Sequence, residues 1–328
     1  MERREIVRRA IEFGKPPRLP FFQTHVDYVP SDVCYCWEMD RARRGWFFDR
    51  ATEDDWGCRW ASTDLKNMGQ VTFHPLEDWS SLSTYRPPNP RDPFYFDRVE
   101  DALAGAEDRY RVVSSHFNLI ERLHLLRGFT RTFEDIYLHP AETEQLLDMI
   151  LEFKIGLLHE LNRRFGDRVD GIFLTDDWGT QSGTFVSPAI FARFFLPRYR
   201  QLFRAIHDHG WHAILHSCGK INDFLPPLID AGLDVINIHQ PQACGIQEIG
   251  RRFSGHICFL ETADVQKTLP VGDPEQIRAE VRCLVEELST PEGGFIVYTC
   301  RFPEAVGADE KAVETMYRAF ADLMYHRN

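Results

Sequence analysis

Residues 171–180 read GIFLTDDWGT, residues 212–220 read HAILHSCGK and residues 234–240 read DVINIHQ. Each opens with a short, mostly apolar run and then breaks into polar or metal-competent side chains. An apolar run without alternation marks a strand covered on both faces, as in a parallel sheet. The intervening stretches are helical. Ser187-Pro188 supplies an N-cap followed by proline at the first helical position, and that helix is expected to break before Pro197 and resume to Gly210. Residues 221–231 read as a second helix, closed by Gly232. Strands alternating with helices at this spacing predict βαβ units.

The same rhythm extends outward. Downstream come HICFL (256–260), a helix opened by Asp273-Pro274 and running to about Leu288, FIVYT (295–299), and a helix over 309–325. Upstream come a helix from Ala141 to Phe165, ended by Gly166, and a strand at RVVSS (111–115). The first half is less regular. Residues 2–12 form an amphipathic helix, LPFFQT (19–24) reads as a strand, and 56–74 read as a hairpin insertion punctuated by Gly57 and Gly69. The proline-rich RPPNPRDP (86–93) suits a loop better than a linker. The expected fold is therefore α/β: one (β/α)8 TIM barrel domain over 1–328 with N-terminal helical and hairpin additions. An open doubly wound sheet fits the strand pattern too, and the polar residues favour the barrel.

Those residues gather at strand ends. GIFLT runs into Asp176, Asp177 and Trp178. HAIL runs into His216 and Cys218, DVINI into His239 and Gln240, HICFL into Glu261, and FIVYT into Cys300. The first strand runs towards His25 and Asp27. In a barrel all strand C-termini meet on one face, where active sites are built. His216 and Cys218 stand two apart, so both side chains point the same way. Imidazole and thiolate are zinc-type ligands, and Cys300 supplies a third. Three protein ligands with one open position is the pattern of a working zinc; the alternative is a satisfied core histidine beside buried cysteines. Asp176 and Asp177 are candidates for proton transfer or substrate orientation, or one of them caps the following helix. Trp178 is a pocket wall or core, and Gln181 a polar contact. Cys34 and Cys36 read as structural. His207, His209 and His212 straddle a helix end and are expected to cap carbonyls. Arg41, Arg43, Arg44 and Arg50 form either a basic pocket or a solvated face.

Composition narrows the function classes. The chain has 328 residues, 43% hydrophobic and 27% charged, with a formal net charge of −12. The acidic balance argues against nucleic acid or an anionic membrane as partner. MERREIVRRA carries no apolar h-region, and no run approaches the roughly 18 apolar residues of a membrane span. A cytoplasmic chain with reduced thiols is expected, its eight cysteines available for metal or catalysis. A homodimer stays open.

At these residues the chain resembles the uroporphyrinogen decarboxylase superfamily. The resemblance runs through REIVRRAIEFGKPPRLP (4–20), ERLHLLRGF (121–129), TDDWGTQSGTFVSP (175–188), LHSCGKINDFLPPLIDAGLDVIN (215–237) and GGFIV (293–297). It implies a (β/α)8 barrel. The true decarboxylases use no metal and carry an Arg-Gln-Ala-Gly-Arg motif and a Gly-His-Gly. Here FFQTHVDYVPSDV (21–33) and YTCRF (298–302) stand instead. The chain is more similar to the methylcobalamin:coenzyme M methyltransferase branch, to which the zinc barrel of cobalamin-independent methionine synthase is related. There zinc is held by His-x-Cys and a distant Cys, matching His216, Cys218 and Cys300. Methionine synthase adds a Glu where Gln240 stands, which leaves water, substrate or Glu261 for the fourth position. HSCG together with DDWGTQ looks like bacterial barrels linked with corrinoid proteins.

The resemblance implies methyl transfer at zinc, between a small thiol, methyl ether or similar substrate and a corrinoid (cobalamin) brought by a partner protein. Asp176, Asp177, His25 and His239 would serve the chemistry; Trp178, Gln181, Gln240 and Asp27 would contact substrate. A metal-free tetrapyrrole decarboxylase, a zinc lyase or hydrolase, and a small-molecule-binding barrel remain as alternatives.

Overall fold

A computed structural model describes residues 1–22, 29–39, 52–61, 69–298 and 303–325. After the extended β1 (Val33–Glu38), three short strands, β2 (Thr52–Glu53), β3 (Arg59–Ala61) and β4 (Gln70–Phe73), form an antiparallel sheet of their own. This is the expected hairpin insertion with one strand more. Asp54 ties it to the main body: its carboxylate accepts from Trp60 Nε1 and pairs at 3.0 Å with Arg122, both side chains fully buried.

The remaining strands are β5 (Tyr110–Ser115), β6 (Gly171–Thr175), β7 (His212–His216), β8 (Val235–Asn237), β9 (Cys258–Glu261) and β10 (Phe295–Val297). With β1 they form one parallel sheet in the order β1-β5-β6-β7-β8-β9-β10. Neighbours in the sheet are successive along the chain, with helices between, as βαβ units require. The sheet curls until its two edge strands share a neighbour. Val297 N donates to Pro20 O and Phe22 N to Val297 O, while Asp32 N and Val33 N donate to Phe21 O and Phe22 O. The result is a TIM-barrel-like α/β fold.

Alternation along the strands defines its inside. Val33 and Tyr35, Val112, Phe173, Ile214, Val235, Leu260, and Ile296 and Tyr298 belong to one cluster. The helix Arg3–Ile11 adds Val7, Ala10 and Ile11 to it, and Gly294 N donates to Ala10 O. This helix therefore plugs the end at which the strands begin. A larger cluster lies outside, between sheet and helices, and includes Trp178, Phe191, Phe195 and Phe224.

Most sequence-read elements appear with shifted ends. The long helix is Pro140–Phe165, and the last two long helices are Pro274–Leu288 and Glu310–Asp322. The expected break before Pro197 is a π-helical turn, Phe191–Phe195, ahead of Leu196–His207. The helix expected over 221–231 shortens to Leu225–Asp230, because Pro226 and Pro227 fit only its first turn. Strand β1 was not anticipated: its VCYCWE carries too many polar and soft residues to read as an apolar run. The 86–93 stretch lies against the long helix, Pro90 packing at Gly156, so it is not a free linker. Among the described residues no helix is long and apolar enough to cross a membrane. His207, His209 and His212 do not cap helix carbonyls. They bond instead to Asp234, His159 and Tyr110.

Candidate metal centre

The two-residue period sorts the candidate residues. On β6 Phe173 faces inward, so Thr175 and Asp177 follow it, while Asp176 and Trp178 face the helices. Asp176 is fully buried. Its carboxylate accepts from the backbone N–H of Leu119, Ile120 and Glu121 and from the Tyr199 hydroxyl. It thus caps the helix Leu119–Arg127, whose first N–H groups have no partner within the helix. Burial pushes its carboxyl up to about 6, against the pull of Tyr199 and those three N–H groups. In place of the expected catalytic position, the structure gives Asp176 a cap on a helix that is not the one following it. Trp178 is likewise corrected from pocket wall to core. Its ring lies 4.6 Å from Phe195 and 5.5 Å from Phe224, and its indole N–H donates to Tyr199 Oη at 2.8 Å.

The same parity sets Glu261 apart from the other metal-competent residues. Leu260 faces the interior, so Glu261 faces the helix layer. It is fully buried, one oxygen accepts from Ile238 N, and burial drives its carboxyl well above the usual carboxylate range.

The inward positions converge. His216 Nε2, Cys218 Sγ and a ring nitrogen of His239 lie within 4.8 Å of one another. His216 Nε2 is 3.4 Å from Cys218 Sγ, and the His216 and His239 rings are 4.2 Å apart. These are the C-terminal ends of β7 and β8, as barrel geometry demands. Asn237, fully buried, sets the His216 tautomer. Its Nδ2 donates to Leu260 O, which turns Oδ1 towards His216 Nδ1 at 2.8 Å. Nδ1 therefore carries the proton and Nε2 keeps its lone pair on the Cys218 side. Asp177 accepts from Cys218 N at 2.8 Å and lies 3.6 Å from His216 Nε2.

Two glycines hold Cys218 in place. Gly179 N donates to Cys218 O and Lys220 N to Thr180 O, so the loops after β6 and β7 are laced together. A Cβ on Gly179 would meet Gly219 C and Lys220 N at 2.6 Å, and one on Gly219 would meet Gly179 C at 2.3 Å. Gly219 also sits at φ +79, where a side chain is strained.

Gln181 Nε2 donates to Gln240 Oε1 at 2.9 Å and to Gln266 Oε1 at 2.8 Å. Cys300, His25 and Asp27, and the basic group Arg41, Arg43, Arg44 and Arg50, lie outside the described residues. The sequence reading had His239 serving the chemistry, and the structure gathers it with the metal-competent atoms. It missed Asn237, although Asn237 and His239 share the strand parity of His216 and Cys218. It also missed Tyr35 and His116, whose side chains hydrogen-bond at 3.0 Å.

Imidazole and thiolate donors from two neighbouring strand ends are a set that suits zinc. No curated protein matches the chain in sequence. Among solved structures, a methyltransferase from Methanosarcina mazei superposes with a TM-score of 0.64 at 17% identity, over 82% of this chain and 76% of that one. The native xylanase 10B from Thermotoga maritima gives 0.43 at 12% identity, over 72% and 83%. The first of these likenesses supports the shared fold. The sequence profile "Uroporphyrinogen decarboxylase (URO-D)" matches residues 69–319, well over half of the chain. This chain belongs to the uroporphyrinogen decarboxylase family.

Proposed function

We propose that this protein is a zinc-dependent methyltransferase on a closed (β/α)8 barrel, moving a methyl group between a small substrate and a corrinoid carried by a separate protein. The observation that carries the reading is the convergence of His216, Cys218 and His239 within 4.8 Å at the strand ends. A metal-free decarboxylation has no use for such a set, and the chain lacks the Arg-rich and Gly-His-Gly motifs of the decarboxylases. His216, Cys218 and His239 would hold the ion. Cys300, assigned to the same face on its register two residues beyond the inward-facing Tyr298, would occupy the fourth position until substrate takes it. When bound, zinc supplies Lewis acidity, acidifying a substrate thiol or polarising an ether oxygen.

The chain's own residues do the rest. Asn237 fixes the His216 tautomer and ring orientation. Asp177 pins the Cys218 backbone and stands close enough to the His216 ring to orient a polar substituent. Gln181 and Gln240 offer amide groups to the substrate from above. His25 and Asp27 are assigned further contacts on their place after the first extended segment. The corrinoid arrives with its partner at the strand-end face, and the reaction takes place in the cytoplasm without nucleic acid.

The test is spectral. Zinc-loaded protein with methylcobalamin and a panel of thiols and methyl ethers should change the corrinoid spectrum, and Cys218→Ala should abolish the change. Inactivity across the panel together with turnover of a porphyrinogen would reverse the assignment.

A further inference from the structure

The inner face carries a second polar pair that the metal cluster does not use. Tyr35, on β1, and His116, just beyond β5, share a hydrogen bond of 3.0 Å between the phenol oxygen and Nε2. His116 is 2% exposed, whereas Tyr35 remains within reach of solvent. The chain secures this corner from behind. Lys154, 2% exposed, donates from Nζ to Ser115 Oγ at 2.9 Å and to the carbonyl oxygen of His116. Lys154 thus ties this strand end to the helix Pro140–Phe165.

Between this pair and the cluster the interior is aromatic. Phe22 and Phe173, 3% and 5% exposed, form a floor. Tyr35 meets Phe173 edge-on at 6.1 Å, and Tyr298 meets Phe22 edge-on at 5.4 Å. Phe173 stacks on His216 at 6.5 Å, and Tyr298 on His239 at 5.4 Å. The rings thus run without interruption from the Tyr35–His116 pair to the metal cluster. Tyr35 and Tyr298 sit one step beyond Val33 and Ile296 towards the strand C-termini, and both are part-exposed, so solvent reaches this layer from the mouth. Among the described residues of the inner face at this level there is no Lys or Arg. A ligand headed by phosphate, sulfonate or carboxylate finds no cation among those described residues.

We propose that this layer binds a small neutral aromatic molecule bearing an oxygen substituent, with its ring on the aromatic floor and the oxygen at Tyr35–His116. Sites for small molecules are mostly apolar with a few convergent polar groups, and aromatic rings favour offset or edge-on contact with other rings. A phenol hydroxyl beside an imidazole both donates and accepts, so it suits a hydroxyl or an alkoxy oxygen. The inference names the substrate class of the proposed methyltransferase and rests on that reading for the reaction alone.

The test uses the full-length, zinc-loaded protein with phenol, anisole, toluene and tetramethylammonium as probes, read by calorimetry or saturation-transfer NMR. Phenol and anisole are expected to bind more tightly than toluene. Tyr35→Phe should lower phenol affinity about five-fold, the worth of one hydrogen bond, and leave toluene affinity and zinc content unchanged. His116→Gln should act in the same direction. Absence of phenol and anisole binding, a full phenol preference in Tyr35→Phe, or tighter binding of tetramethylammonium than of the oxygenated rings would overturn it. Zinc retained without phenol affinity sinks this inference and spares the metal assignment. Tyr35-dependent phenol binding in a protein that takes up no zinc supports it and sinks the metal assignment.

Discussion

Gly179→Ala should damage the metal centre without touching a ligand. The new Cβ would lie 2.6 Å from Gly219 C and Lys220 N and 2.7 Å from Cys218 O. All three are backbone atoms and cannot rotate away. Reaching ordinary contact at 3.4 Å means parting the two loops by about 0.8 Å. Overpacking of this kind costs about 1–3 kcal/mol. The bonds Gly179 N to Cys218 O and Lys220 N to Thr180 O are stretched with it, at about 1 kcal/mol each. A total of about 3–5 kcal/mol follows. Unfolding entropy for 328 residues is about 0.7 kcal/mol/K, so Tm should fall by about 4–7 °C. The metal is more sensitive than the fold, since ligand distances tolerate about 0.2 Å. Zinc affinity should therefore drop roughly 10–100-fold, the range seen when groups behind the ligands are altered. Gly183→Ala is the control, in the same loop with open space around its Cβ. Thermal melts and a competitive chelator titration read both effects. A Gly179→Ala protein with the Tm and zinc affinity of the unaltered chain would refute the argument that these glycines place Cys218.

Asp176→Ala should destabilise the fold by about 3 kcal/mol or more, because three backbone N–H groups and the Tyr199 hydroxyl lose a buried acceptor, yet folded molecules should keep their zinc affinity. Urea denaturation and zinc titration check this, and lost zinc affinity at unchanged stability would restore Asp176 to the site. His239→Ala should weaken zinc binding while leaving the Tm of the zinc-free protein within about 2 °C; unaltered affinity would remove it from the ligand set. His207 donates to Asp234, and that hydrogen bond raises its pKa above the ordinary value. A raised histidine stabilises the fold fully below the unfolded value of about 6.5 and loses that contribution as pH climbs through its folded value. His207→Gln should thus cost more stability at pH 6 than at pH 9 in paired denaturation curves, and the opposite order would contradict the ion pair.

The sequence made the second half of the fold legible because its strands are buried on both sides and its helices carry caps at Ser187, Asp273 and Asp309. Strand β1 was not legible, since Val33 and Tyr35 face one core and Cys34 and Cys36 the other. At the site, the spacing of His216 and Cys218 was sound because strand geometry puts i and i+2 on one face. The same rule, carried along every strand, would have turned Asp176, Trp178 and Glu261 outwards and brought Asn237 and His239 inwards. What no spacing could disclose is which groups from distant segments meet: Asp176 with the helix at Leu119, Gly179 with Gly219, and Tyr35 with His116. Those depend on the curl of the sheet, which brings segments far apart in sequence to one end of the fold.

The central claim is a bound zinc at His216, Cys218 and His239. Its most direct test is metal analysis of the full chain purified under reducing conditions and reconstituted with zinc. Close to one zinc per chain is expected, lost in Cys218→Ala and in His216→Ala. A folded protein that binds no zinc, or one whose zinc survives both substitutions, would contradict it.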